Sequence, residues 1–173
     1  SLSIANHNVT LIHSDTELQG ITNMSRWYAL GNDVTGSNFS RIGATGNEFT
    51  GQFHGLGHTV SNLTINHPSD SRIGLFGVTK DATLRDVTLT NVNVTGVNLV
   101  GMLVGWARNT TISNVNVSGK VAGSGDHVGG LAGHVENSTI RDSQVNVTLA
   151  PGSGANHGLF AGLVSGNSSI VNS

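Results

Sequence analysis

The sequence predicts an all-β chain wound as a parallel β-solenoid (β-helix) of about five to six coils, from three regularities. A glycine-bounded apolar phrase returns about every 28 residues, the apolar residues after it recur in phase, and columns of Asn and Asp keep the same step. A fixed period of this length marks one supersecondary unit stacked on copies of itself.

The phrase runs Arg72-Ile73-Gly74-Leu75-Phe76-Gly77, then Val100 to Gly105, Val128 to Gly133 and His157 to Gly162, with closing glycines 28, 28 and 29 residues apart. Leu84, Ile112 and Ile140 follow seven residues after Gly77, Gly105 and Gly133. From these anchors the pattern continues as Leu84/Val87/Leu89, Ile112/Val115/Val117 and Ile140/Ser143/Val145, with Val60/Leu63/Ile65 as an earlier copy and Ile170 beginning a later one. The last two members of each triplet are two apart and share a strand face, while the three-residue step before them predicts a bend. Asn62, Asp86, Asn114, Asp142 and Asn172 stand two residues past each anchor, and Asp81, Asn109 and Asn137 form a second column. Asn and Asp tolerate left-handed backbone, so these columns read as corners, with side chains free to bond along the axis. A helical reading, four heptads per repeat, fails on the alternation in Asn91-Val92-Asn93-Val94-Thr95-Gly96 and on the recurring glycines.

The whole chain, 1–173, reads as one solenoid domain, less regular over 1–50 and repetitive over 51–173. Ser14-Asp15-Thr16-Glu17 has capping-box spacing, and Leu18, Ile21 and Met24 follow at threes, which predicts a short helix near 15–24. Trp27, Tyr28 and Leu30 then predict a strand ending near Gly31-Asn32-Asp33.

Composition narrows the function. Eight scattered Lys and Arg against ten Asp and Glu give a net charge of −2 and no basic footprint for nucleic acid. No apolar run approaches the roughly 18 residues of a membrane span. With no cysteine, disulfides and thiolate metal sites are excluded. The start at Ser1-Leu2-Ser3, without a signal-peptide pattern, and the end at Ser173 partway through a coil read as an internal fragment.

The segments Trp27-Tyr28-Ala29-Leu30-Gly31-Asn32-Asp33-Val34, Phe49-Thr50-Gly51-Gln52-Phe53-His54-Gly55-Leu56-Gly57-His58 and Gly74-Leu75-Phe76-Gly77 resemble GLUG-motif proteins, typical of filamentous-haemagglutinin-like exoproteins of two-partner secretion. The resemblance covers roughly 17–173. It implies a right-handed parallel β-helix within a long, secreted, cell-surface bacterial adhesin. His54 stands where the family usually has Asp. The resemblance also implies an outer-membrane transporter as secretion partner, a host-cell receptor or glycan as contact partner, and sugars on some of ten Asn-x-Ser/Thr sequons (Asn93, Asn116 and Asn146 among them).

Asp86 and Asp142, two coils apart, have marginal spacing for an inverting carboxylate pair, but their column is otherwise Asn, which favours a corner role. The eight histidines read as packing or partly exposed residues over metal ligands, since His134 and His157 fall at positions that other coils fill with apolar residues; calcium at Asp81 or Asp126 lacks enough carboxylates. No Gly-x-Ser-x-Gly elbow and no phosphate-loop Lys is present, so no catalytic residue, metal or cofactor is assigned. Binding is expected instead on a polar face: Thr64, Thr88, Asn116 and Gln144 in one row, Asn66, Thr90, Ser118 and Asn146 in another, with Trp106 as an aromatic that stacks on sugar if exposed. The expected function is a non-enzymatic adhesin segment acting as stalk or contact surface. The alternatives are a polysaccharide-acting β-helix enzyme and an accessory region of a secreted protease, although the His-Glu-x-x-His zinc helix of such proteases is absent from this sequence.

Overall fold

β-Branched residues alternate with small polar ones along most of the chain, and such segments bury one face of a pleated ribbon. In the computed structural model, which describes residues 2–173, these ribbons wind into about five stacked coils with one small helix. The start is a hairpin of β1 (Leu2–Ile4) and β2 (His7–Ile12), turned at Ala5 and Asn6 with φ of 48° and 64°. It is the one antiparallel strand pair among the described residues; every other pair of strands is parallel.

The helix α1 spans only Asp15–Gln19, shorter than the 15–24 predicted. Its start is as read: Ser14 Oγ accepts from the Glu17 N–H at 3.1 Å, and the Glu17 carboxylate accepts from the His13 N–H. Gly20 ends it, because glycine is costly in a helix interior and its N–H closes the last turn on Thr16 and Glu17. Leu18 and Ile21 are buried and Met24 packs against them, so the apolar spacing served packing beyond the helix itself.

From there the coils follow in order: β3 (Trp27–Leu30) and β4 (Val34–Thr35); then β5 (Gln52–His54), β6 (Thr59–Ser61) and β7 (Thr64–Asn66); then β8 (Phe76–Lys80) and β9 (Thr83–Gly96). The later coils hold β10 (Val104–Arg108) and β11 (Thr111–Gly123); β12 (Val128–Gly129), β13 (Ala132–Glu136), β14 (Thr139–Arg141) and β15 (Gln144–Pro151); and finally β16 (His157–Gly158), β17 (Ala161–Ser165) and β18 (Ser169–Val171). A large sheet runs β1-β2-β3-β5-β9-β11-β14-β18, with β15 beside β11 and β6 and β7 beside β9, and a second sheet runs β8-β10-β13-β17.

The closing glycines mark places where this winding is tight. A Cβ on Gly105 would lie 2.6 Å from Arg72 C and Ile73 N, and one on Gly133 2.5 Å from Leu99 C and Val100 N. Gly162 meets His127 and Val128 in the same way. The connecting backbone of the neighbouring coil therefore lies directly on each glycine, and no side chain fits between. Inside, Leu75, Leu103 and Leu131 are fully buried, and Leu103 N–H donates to Leu131 O, whose own N–H donates to Phe160 O. Phe160 is only partly buried in the last coil, where Leu159, Val164, Ile170 and Val171 are exposed.

The predicted register holds from Leu84 onward and fails before it. Leu84, Ile112, Ile140 and Ile170 pair in succession. Val60, however, pairs with Leu89, and the partner of Leu84 is Phe53. Asn62 accordingly leaves the Asp86 column and accepts a hydrogen bond from Asn91 Nδ2 at 2.8 Å. The β9 strand has two corners of one local signature, an apolar residue, a left-handed Asn or Asp, then two more apolar residues: Leu84-Arg85-Asp86-Val87-Thr88-Leu89 and Leu89-Thr90-Asn91-Val92-Asn93-Val94. Spacing alone assigned Val60 to the wrong one.

Candidate functional site

Alternation sends Leu89, Val92 and Val94 inward, which leaves Thr88, Thr90, Asn93 and Thr95 on the outer face of β9. Stacking repeats this in β11 and β15. Row one is Thr59, Thr88, Asn116 and Gln144. In row two Ser61 pairs with Thr90 and Ser118 with Asn146, Ser118 lying across from the bulge at Thr90–Asn91. Row three is Thr64, Asn93, Lys120 and Thr148, and row four is Asn66, Thr95, Ala122 and Ala150.

Thr88, Asn116 and Gln144 therefore form one row as predicted, and Thr64 does not: it pairs with Asn93, and Thr59 takes its place. The same misassigned corner displaces Asn66, which pairs with Thr95 rather than Thr90. Thr59, Asn93, Lys120 and Thr148 were missed; pairing the Asn62 corner with that at Asn91 would have revealed them.

Thr88, Asn116, Ser118, Gln144 and Asn146 line a shallow groove of about 200 Å³ over Leu89, Val117 and Val145. Among the described residues, the side chains of Thr88, Asn116, Gln144 and Asn146 have no hydrogen-bond partner in the protein and are at least partly exposed, so their donors and acceptors face outward unspent. Across the four rows Lys120 is the one formally charged residue.

Trp106 stands on the other sheet. It pairs with Val78 and His134, and its half-buried indole stacks on the His134 ring, centroids 5.8 Å apart and planes 6° from parallel. Arg108 and Arg72 place guanidinium carbons 4.6 and 5.8 Å from the indole centroid. His134 shares its position with Trp106 and Leu163, as expected, and burial lowers its pKa.

Three aspartates, Asp86, Asp81 and Asp126, are held by hydrogen bonds from the next coil. Asp86 accepts from Asn114 Nδ2 at 2.9 Å and from Arg85 Nε at 2.7 Å. Partial burial pushes its carboxyl up, and those bonds with the neighbouring charges outweigh it, leaving it below the usual carboxylate value. Asp81 accepts from Asn109, and Asp126 accepts from the Ala155 N–H. His54, in place of the family's Asp, is buried, bonds Gln52 at 2.8 Å and stacks on Trp27.

Fold and face together define a β-solenoid repeat protein that presents an in-register polar sheet. The chain belongs to the family described as the M26 IgA1-specific metallo-endopeptidase N-terminal region, whose model matches residues 17–119. Residues 124–150 match the GLUG motif, in agreement with the resemblance read from the sequence. Halomucin of Haloquadratum walsbyi (strain DSM 16790 / HBSQ001) is 39% identical over 103 residues, which is 59% of this chain and 1% of halomucin. The chain thus corresponds to a small part of that relative's length. No solved structure matches. Among the described residues no helix is long and apolar enough to cross a membrane.

Proposed function

We propose that this chain is a non-enzymatic, rigid segment of a secreted or surface-displayed adhesin, and that the β9-β11-β15 face contacts glycan. The observation that carries the proposal is the row Thr88, Asn116 and Gln144 with unspent hydroxyls and amides, one per coil. Coils stack at about 4.8 Å, a step of the order of one sugar ring, so a linear saccharide lying along the axis meets a fresh donor and acceptor at each coil. Ladder bonding of Asp86 supports a structural carboxylate over a catalytic one. Export by a two-partner route, with its outer-membrane transporter, is the finer form of this proposal.

The test is a glycan array probed with the chain and with a Thr88→Lys/Asn116→Lys variant. Loss of binding in the variant supports the face, and equal binding by both removes it.

A second reading is favoured by the family match over 17–119: an accessory region beside a secreted protease, holding the target for a catalytic domain elsewhere. Deleting these residues from a parent protease would lower cleavage of a glycosylated protein and leave cleavage of a short peptide unchanged.

A further inference from the structure

Of the chain's eight Lys and Arg, Arg85 pairs with Asp86 and Arg108 lies 3.8 Å from Glu136. Arg41 and Arg72 are different. They line one cleft of about 180 Å³ with Ala44, Thr45 and Ser71, and no lining residue is acidic. Among the described residues neither guanidinium has a carboxylate partner.

Both arginines are held in place. Arg41 Nη1 donates to Ser71 O at 3.4 Å, and the Arg41 stem lies over Gly77, where an added Cβ would come 2.8 Å from Cδ. Arg72 occupies a left-handed corner, φ 64°, with its N–H bonded to Asn98 O and its guanidinium against Trp106. Its Nε is buried without a partner. The indole is fixed in turn by stacking on His134. Two arginines thus line one cleft with no acidic residue beside them, and a guanidinium matches the paired oxygens of a carboxylate or sulfate.

We propose that the Arg41–Arg72 cleft binds the carboxylate or sulfate group of an acidic saccharide. The proposal rests on the glycan-contact reading and adds to it a charge class and a second site, lined by no residue of the β9-β11-β15 face. A sugar suits the cleft because Ala44 and Thr45 offer a small, weakly polar wall with a hydroxyl, and there is no apolar pocket for a peptide side chain.

The experiment measures binding of the chain to a uronate-bearing oligosaccharide, its sulfated counterpart, the neutral oligosaccharide of the same backbone, and inorganic sulfate. The comparison set is Arg41→Gln, Arg72→Gln, Lys80→Gln and Thr88→Lys/Asn116→Lys, Lys80 being an exposed cation outside both the cleft and the β9-β11-β15 face. Expected are at least about tenfold tighter binding of one acidic sugar than of the neutral one, a loss of about tenfold in Arg41→Gln and in Arg72→Gln, and no change in Lys80→Gln. Raised salt weakens the acidic sugar most. Which acidic sugar wins tells carboxylate from sulfate. Arg41→Gln decides the matter if Arg72→Gln unfolds, since Arg72 packs on Trp106 and Arg41 does not. Unchanged affinity in Arg41→Gln, or inorganic sulfate binding as tightly as the sugars, overturns the proposal. If the neutral sugar binds at the Thr88 row and acid brings no gain, the cleft alone fails. If no saccharide binds, the glycan reading fails with it.

Discussion

Asn114 Nδ2 donates to Asp86 Oδ1 across 2.9 Å, and the two residues stand 28 positions apart at the same corner of successive coils. Both have left-handed backbone, φ of 52° and 57°. One residue type thus meets two needs: Asn tolerates the corner, and its amide donates a hydrogen bond to the carboxylate of the neighbouring coil. Asn114 also separates Asp86 from Asp142, so the carboxylate pair considered from the sequence is divided by an amide.

Replacing Asn114 separates those needs. Asn114→Gly keeps the backbone and loses the bond, about 0.5–1.5 kcal/mol. Asn114→Ala adds left-handed strain of about 1–2 kcal/mol. Urea unfolding should therefore rank wild type, Gly, then Ala; an Ala variant as stable as the Gly variant would remove the corner argument.

The Asp86 carboxyl titrates below its ordinary range in the fold, so its stabilising contribution is complete above the unfolded value of about 3.9 and is lost as pH falls through the lower folded value. Asp86→Asn should flatten the fall of Tm on the acid side of pH 4. An identical acid limb in both proteins would contradict the ladder's electrostatic role.

His134 behaves alike at higher pH. Burial lowers its pKa despite Glu136, which raises it, and His127 lowers it further, so stability is full above about 6.5 and declines as pH falls through the folded value. His134→Leu, which installs the residue of position 163, should melt no lower than wild type at pH 7 and lose less between pH 7 and 5.

Gly105→Ala forces a Cβ onto the backbone of residues 72 and 73 and should cost about 1–3 kcal/mol or more. Gly20→Ala, where the nearest atom is 3.3 Å away and φ is −77°, should cost much less. Equal effects in chemical denaturation would mean the closing glycines are not set by coil contact.

Leu103→Ala empties a fully buried site and should cost about 2–5 kcal/mol, whereas Leu159→Ser, already half exposed, should change stability by less than about 0.5 kcal/mol.

Much of this was legible because stacking turns neighbours in space into a fixed step in sequence. The Leu84, Ile112 and Ile140 anchors, the Asp81 and Asn109 corner and the Gly105 and Gly133 column all lie in coils of equal length, and periodicity placed them. Val60, Asn62 and Thr64 lie one coil earlier, where Phe53 to Val60 spans two residues more than Leu84 to Leu89. That lengthened corner at Gly55-Leu56-Gly57 left the local motif intact and moved it to another position, which no single-strand pattern records. Arg41 and Arg72 were illegible for a related reason: they come from different coils and meet only through the winding.

Cysteine cross-linking measures the stacking most directly, because the chain has no cysteine of its own. Thr88→Cys/Asn116→Cys places thiols on paired positions, within the Cα separation of roughly 4.4–6.8 Å that a disulfide spans. Thr64→Cys/Thr88→Cys places them in different rows. The account predicts rapid intramolecular disulfide formation in the native first variant and little in the second; the reverse order, or equal rates in both, would contradict it.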